Sequence, residues 1–353
     1  MDDGSRAPSS PPTLHDVARE AGVSVATASR ALNGSTRNVR SENVSRVRAA
    51  AARLGYEPHL SAQAIAKGST PTVALVVRDV ADPYFSSIAA GVTEAAEAAR
   101  LIVTMAVADR SPERELEIVR TLRGQRPRVI IVAGSRVDEG PDGDKGGPAT
   151  REALADELEQ YRTAGGRVVL ISQRDLPFGT VTIDNHGGSR RLAGALLGLG
   201  YRRFAILRAP DAIRTSRERV AGFLAGLGSA GPAEPLVVET EFTREGGYDA
   251  ARALAERGLG DVEIVFAVND VMAIGAMTAL RDAGITPGAG VAVAGFDDIG
   301  SAVDVFPGLT SVAVPLRDAG RQAVRLALSD GGAREVRIET EVVVRASTPP
   351  RRA

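Results

Sequence analysis

Cysteine is absent from this 353-residue chain, which excludes disulfides, thiol nucleophiles and thiolate-held metals. Tryptophan is missing too. Aliphatic residues, alanine and 38 glycines dominate instead, the profile of an α/β protein and not of a disordered chain or a coiled coil. Three histidines, His15, His59 and His186, are too few for a His-rich metal site or a relay of several imidazoles. Excess charge of either sign is lacking: the formal net charge is −1, so no global basicity advertises nucleic acid. Lysine is nearly absent, with Lys67 and Lys145 set against 41 arginines, a bias we read as genome composition. No apolar run is long enough to span a bilayer. The polar, Pro/Ser-rich start, Met1 to Pro12, has no apolar segment of the kind a secretory leader needs, so a cytoplasmic protein is expected. Enzyme motifs are also missing: there is no Walker A, no G-x-S-x-G and no G-x-G-x-x-G after the first strand. No metal or cofactor is expected.

What is present divides unequally. Residues 1–12 read as a disordered tail, 13–57 as a helical head, 58–70 as a connector, and 71–348 as a larger body. Residues 13–70 hold eight basic and four acidic side chains, so the near-neutral total conceals a basic head on an acidic body. A local basic patch is the footprint of phosphate binding, although a solvated helix face has the same charge.

The head carries a sharper signal. Thr13 caps a helix whose apolar face is Leu14, Val17, Ala18 and Ala21, at i, i+3, i+4, i+7. Gly22 ends it with the positive φ of a tight turn, Val23 packs back, and Ser24 caps a second helix through Ser29, Arg30 and Leu32. Ala28 is the small inward residue that lets the two helices cross closely. Val44, Val47, Ala51 and Leu54, capped by Ser41, give a third. Two short helices joined by a glycine turn on a basic segment form a helix-turn-helix, whose second helix enters the major groove of double-stranded DNA. A plain αα-hairpin is the bland alternative.

The body alternates short β-branched runs with amphipathic helices, first over 73–171 and then over 181–295, which implies doubly wound parallel sheets. Residues 138–148 read as a surface insertion. Ligands in such sheets bind beyond the carboxyl ends of strands. The loops there hold Asp82, Gln173-Arg174, Asp184-Asn185, Asn269-Asp270 and Asp297-Asp298, with Arg219 in the helix after another strand.

Thr13-Leu14-His15-Asp16-Val17-Ala18, Ala21-Gly22-Val23-Ser24, Thr27, Ser29-Arg30, Leu32-Asn33 and Arg53-Leu54-Gly55-Tyr56 closely resemble the head of the lactose/galactose-repressor (LacI/GalR) family, and the likeness continues to about residue 348. The resemblance implies an α/β fold: a three-helix helix-turn-helix head, a hinge, and a two-lobed periplasmic-binding-protein-like body. Its lobes are expected at about 71–171 plus 300–328 and 173–297 plus 330–348, with crossings near 171–173, 297–300 and 327–330. It implies a homodimeric repressor on a pseudo-palindromic operator, with an effector between the lobes.

In the family Val25, Ala26 and Arg30 face base edges. Val25 and Ala26 suit a thymine methyl, and Arg30 suits guanine. Thr27, Ser29 and Asn33 are placed for phosphates, and Thr13 belongs to the same DNA-facing set. Ser61 to Lys67 resembles the family's hinge helix, with Ala62 as a small pairing face, Ile65 as the wedge at a central CG step, and Lys67 beside the DNA. Arg219, Asn269, Asp297 and Phe242 match the family's effector ligands. Asp82 and Phe85 line the other lobe, joined by Arg174 and Asp184. Many members carry Asn where this chain has Asp82, and Gln173 replaces a common Asp. The chemistry favours a sugar, since Asp and Asn meet hydroxyls, Arg forks two of them, and a ring stacks on an apolar face. A nucleobase effector and a non-regulatory sugar-binding protein remain alternatives. An Arg219–Asp297 ion pair between the lobes is the purely structural reading of those two charges.

Overall fold

The computed structural model describes residues 12–32, 39–57, 68–109, 111–134, 148–173, 176–228, 234–329 and 335–351. The chain forms two compact units that divide after Pro71.

The head is three helices, α1 (Leu14–Ala21), α2 (Val25–Leu32) and α3 (Ser41–Leu54). Thr13 caps α1 in a reciprocal box with Asp16. Gly22, at φ 63°, donates its N–H to the Ala18 and Arg19 carbonyls and turns the chain. Ser24 Oγ accepts from Thr27 N at 3.1 Å at the start of α2. The core is built of small residues: Val17, Ala18, Ala21, Ala28, Ala31, Val47, Ala50 and Ala51 are buried, so the helix axes come close. Two expectations need correction. Ser41 is the first helical residue of α3, and the cap position belongs to Arg40, which makes no side-chain capping bond. Leu54 is 36% exposed, because the inward face of α3 runs through Ala50 and Ala51 instead.

The body contains two parallel sheets. The first has six strands in the order β11-β5-β4-β3-β1-β2, from β1 (Thr70–Val77), β2 (Ile102–Val107), β3 (Pro127–Ala133), β4 (Arg167–Ile171), β5 (Gly179–Ile183) and β11 (Glu335–Ile338). Helices α4 (Pro83–Ala98), α5 (Pro112–Gln125) and α6 (Pro148–Thr163) follow β1, β2 and β3. The second sheet, β7-β6-β8-β9, uses β6 (Phe204–Arg208), β7 (Leu236–Glu239), β8 (Ile264–Ala267) and β9 (Ala292–Ala294). Its helices are α7 (Asn185–Gly198), α8 (Arg214–Leu227), α9 (Arg244–Glu256), α10 (Asp270–Asp282) and the short α11 (Ser301–Asp304). A small antiparallel pair, β10 (Ser311–Ala313) with β12 (Glu341–Val343), and helix α12 (Leu316–Leu328) complete the body.

Sheet membership moves the lobe boundaries. β5 pairs in parallel with β4 and β11 with β5, so both belong to the first sheet although 173–297 and 330–348 were expected in the second lobe. The chain therefore crosses at Asp184, between β5 and α7. It crosses again at 314–315, between β10 and α12, and at 339–340, between β11 and β12. The expected crossings near 171–173, 297–300 and 327–330 are each displaced. Strand–helix alternation says where strands lie along the chain; which sheet a strand joins is decided by its lateral partner.

Several helices also begin early. The sequence pattern places helix starts at Ser189, Arg217 and Gly247, whereas α7, α8 and α9 start at Asn185, Arg214 and Arg244, three or four residues earlier. Gly187 and Gly188 lie inside α7, and Gly246 and Gly247 inside α9. On α8, a Cβ at Gly222 would lie 2.1 Å from the His186 carbonyl oxygen, so α7 and α8 touch backbone to backbone there.

Candidate functional site

The two lobes meet around a cleft lined by Arg78, Asp79, Asp82, Tyr84 and Phe85 from the first and by Thr215, Arg219, Phe242, Asn269 and Asp297 from the second. It encloses about 490 Å³ with its open solvent mouth included. Every wall stands at the carboxyl end of a strand or the start of the helix that follows, where the topology aims side chains into the crevice.

Local rules set the first wall. β1 ends at Val77 and delivers Arg78 and Asp79 directly. Asp82 Oδ1 then accepts from Tyr84 N at 2.9 Å and caps α4, with Pro83 as its first residue. That cap fixes Tyr84 and Phe85, whose rings meet edge to face at 5.0 Å. The Tyr84 hydroxyl lies 3.3 Å from Ser172 Oγ. Burial, with Asp297 and Asp82 nearby, pushes its phenol well above the ordinary range, so it remains a neutral donor.

The second wall is organised by Arg219, which is 1% exposed. Its Nε donates to Asn185 Oδ1 at 3.0 Å, Nη1 to the Val268 carbonyl at 2.7 Å and Nη2 to Asp297 Oδ1 at 2.7 Å. Its Cζ sits 3.8 Å from the centre of the Phe296 ring. All these partners are in the second lobe, so the ion pair lies within one lobe and does not bridge the two.

Asp297 has a φ of 113°, a conformation that side chains rarely adopt and that the structure must enforce. The enforcement is visible. Asp297 N donates to the Val312 carbonyl, its own carbonyl accepts from Val314 N, and the preceding Phe296 carbonyl accepts from Asp270 N. Buried Asp270 braces the same loop by accepting from Ile299 N at 2.9 Å and from the Ser311 hydroxyl at 2.6 Å. Burial, followed by repulsion from Asp297, raises the Asp270 carboxyl well above its ordinary value. Asp297 is pushed up to about 6: burial is the main cause, Arg219 opposes it, and Asp82 from the other lobe adds repulsion. Asn269 caps α10 by accepting from Met272 N at 2.9 Å, which leaves its amide N–H groups for the cleft.

Six of the eight expected effector residues thus converge: Asp82, Phe85, Arg219, Phe242, Asn269 and Asp297. Asp184 does not line the cleft. It caps α7 through Gly187 N and pairs with Arg191 at 3.0 Å and Arg337 at 2.6 Å. Burial pushes its carboxyl up, but those partners outweigh it and hold the group below its ordinary value. Arg174 lies outside the described residues; its neighbour Gln173 is buried and donates to the Gly134 carbonyl at 2.9 Å. Sequence reasoning missed Arg78, Asp79, Tyr84 and Thr215. The strand-end rule would have found the first two, and Thr215 was hidden by the late helix start.

On the head, Ala26 and Arg30 lie four apart on the exposed side of α2, and Ser24 is exposed at its start. Val25 is half-buried against the head core, which limits what it can offer a base edge. Thr27 and Ser29 are half-buried, the former 2.9 Å from Ser24 Oγ. The Thr13 hydroxyl is engaged with Asp16 at 2.6 Å. Of the arginines, Arg46 reaches the Ala21 carbonyl and Arg53 pairs with Glu20, whereas Arg30 bonds to no described residue. Asn33, Ala62, Ile65 and Lys67 lie outside the described residues.

Comparisons with known proteins agree with both units. Residues 13–59 match the description "Bacterial regulatory proteins, lacI family", and residues 193–348 match a periplasmic binding protein-like domain. The chain is 34% identical to the HTH-type transcriptional regulator GalS of Salmonella typhimurium, over 90% of this chain and 89% of that protein. It is 33% identical to the regulator CelR of Thermobifida fusca, over 89% and 90% of the two chains. Among solved structures, the lac repressor dimer bound to operator and the anti-inducer ONPF superposes with a TM-score of 0.79 at 25% identity, covering 96% of this chain and all of that one. A CelR–cellobiose complex superposes with a TM-score of 0.67 at 30% identity, covering 95% and 99%. With a helix-turn-helix at one end, a two-lobed ligand-binding fold after it, and full-length relatives of the same order, the chain belongs to the lacI family of bacterial regulatory proteins.

Proposed function

We propose that this protein is a cytoplasmic, homodimeric transcriptional repressor, not an enzyme, whose affinity for a pseudo-palindromic operator is switched by a small polyhydroxylated effector in the interlobe cleft. One observation carries the effector reading. Asp297 is 5% exposed and gives Oδ1 to Arg219, while its Oδ2 accepts from no described group. Asn269 is 2% exposed and spends only its carbonyl oxygen. A buried acceptor and a buried donor, both facing a cleft beside the Phe242 ring, are the complement of a hydroxylated ligand with an apolar face. The effector set is Asp82, Phe85, Arg219, Phe242, Asn269 and Asp297, extended by Arg78, Asp79, Tyr84 and Thr215. On the head, Arg30 and Ala26 read base edges while Ser24, Thr27 and Ser29 serve the phosphates. The relatives support the type of switch: one is a lac repressor dimer on its operator, another a regulator holding cellobiose. An effector that binds one lobe arrangement better than the other shifts their populations by that difference in affinity.

The test is footprinting of the purified protein on fragments of its own genome, repeated with a panel of sugars. A symmetric protected site whose occupancy changes with one sugar is the expected result. Uniform coating of all DNA, unaffected by any sugar, refutes the proposal.

A further inference from the structure

We infer that the Asp184 carboxylate is a clasp across the lobe junction, one that sets the resting angle between the lobes from outside the effector cleft. Asp184 stands at the first crossing of the chain, and its side chain is 3% exposed. Its two oxygens are held from both lobes. Oδ1 accepts from Arg337 Nη2 at 2.6 Å, on strand β11 of the first lobe, and from Gly187 N at 3.0 Å, in the first turn of α7 in the second. Oδ2 accepts from Arg191 Nη2 at 3.0 Å, farther along α7. The same Arg191 nitrogen reaches the Thr340 carbonyl at 2.9 Å and the Thr340 hydroxyl at 2.8 Å, at the third crossing. Asp184 N donates to the Ile338 carbonyl at 3.0 Å, just before that crossing. Two crossings are thus tied to each other and to α7 around one buried carboxylate. None of these residues lines the cleft.

Rotation of one lobe against the other moves the cleft walls far and the crossings little, so a short-range contact at the crossings weighs on the whole angle. Charge-assisted hydrogen bonds are roughly twice as strong as neutral ones and weaken steeply when misaligned. Arg337 rides on β11 and Arg191 on α7. A turn of α7 against β11 therefore draws the two guanidinium groups apart around a carboxylate that they share. A buried carboxylate left short of a partner is costly. Packing adds to the constraint: a Cβ at Gly188 would lie 2.5 Å from Thr340 Oγ1, so α7 sits directly against the third crossing. The clasp favours the lobe angle it fits, and a ligand that moves the lobes must supply the difference. The clasp itself needs no effector; its consequence for DNA rests on reading the protein as an effector-controlled regulator.

The absence of cysteine allows a direct measurement, because introduced thiols are the only ones to label. Val80 and Glu241 are exposed on opposite rims, beside the lining residues Asp79 and Phe242. Spin labels attached through Val80→Cys and Glu241→Cys report the lobe angle of the full-length protein by pulsed electron resonance. Excess unlabelled protein removes distances between protomers. Arg337→Met takes away the first-lobe arm from a half-exposed position, and Asp184→Asn keeps a good cap for α7. Each should shift the ratio of populated distances by about fivefold or more, in the same direction. The double variant should add little, since both changes break one clasp. Glu339→Gln, which removes a carboxylate 3.5 Å from Arg337 but outside the clasp, should leave the distribution unchanged. A distribution in Arg337→Met that superimposes on that of the unmodified protein overturns the inference, as does full additivity in the double variant. Gel-shift titration of the same variants on the footprinted operator tests the consequence. A changed operator affinity supports it; shifted lobes with unchanged affinity overturn the link from lobe angle to DNA and leave the clasp standing.

Discussion

Replacing Asp297 by asparagine should flatten the acid limb of this protein's stability profile. The side chain is 7% exposed and its only described side-chain partner is Arg219. Burial outweighs that partner, so the folded carboxyl titrates near 6 against 3.8 in the unfolded chain. Folding therefore takes up a proton between these values. The stabilisation is fully present below about 4, is lost as pH rises through about 6, and is absent above that. At about 1.4 kcal/mol per pH unit the full swing is worth about 3 kcal/mol. The asparagine of the Asp297→Asn variant has the same shape, still offers an oxygen to Arg219, and does not titrate. Relief of the repulsion on Asp270 acts in the same direction. Urea unfolding at pH 4.5, 5.5, 6.5 and 7.5 should show the variant losing ground to the unmodified protein only on the acid side. The difference between the two should shift by about 2 kcal/mol in favour of the unmodified protein between pH 7.5 and pH 4.5. Parallel profiles would refute the account, because they would mean that Asp297 is equally ionised in both states across this range. Alanine at the same position is a different perturbation: it strands Arg219 with an unpaired buried charge and should cost about 3–5 kcal/mol at neutral pH.

Arg30→Ala should weaken operator binding by roughly 1–3 kcal/mol and relax preference at one symmetric base pair in a competition series; an equal loss on every sequence would assign Arg30 to phosphate. Gly222→Ala forces a methyl group against the His186 carbonyl, and thermal unfolding should detect a destabilisation of about 1–3 kcal/mol. Arg219→Ala and Asp297→Ala should keep operator binding but lose the effector response if the ligand induces. If the ligand is a corepressor, the same variants should lose tight operator binding in gel-shift titrations.

The head was legible because its determinants are local. Thr13, Gly22 and Ser24 act within four residues of themselves, and a three-helix core of alanines leaves few other arrangements. Ser41 misled because serine is equally at home one position inside a helix. The cleft was legible for a different reason: in parallel sheets the carboxyl end of a strand is a place as well as a sequence position, so Asn269 and Asp297 could be brought together unseen. Asp184 obeyed the same rule and still fell outside. Its strand joins the first sheet, and its oxygens are taken by Gly187, Arg191 and Arg337, the last contributed by a strand 153 residues away. No local pattern encodes that partner. The lobe crossings were misplaced for the same reason.

The late strand β11 has a consequence for how the chain comes into being. It pairs with β5 at the edge of the first sheet, and α12 covers that sheet, so the first lobe borrows both elements from roughly the last forty residues. The second lobe borrows as well: the Ser347 hydroxyl donates to the Val293 carbonyl at 2.6 Å and the Tyr201 hydroxyl to the Pro349 carbonyl at 2.7 Å. The first lobe therefore lacks an edge strand, and the second lobe lacks these hydrogen bonds, until residues 335–349 are in place. The first 300 residues hold all four strands of the second sheet but leave the first sheet without β11 and α12, with apolar surface awaiting its cover. Synthesis of residues 335–349, not emergence of a first lobe, is then what completes the body, and a truncation that removes them should damage both lobes at once.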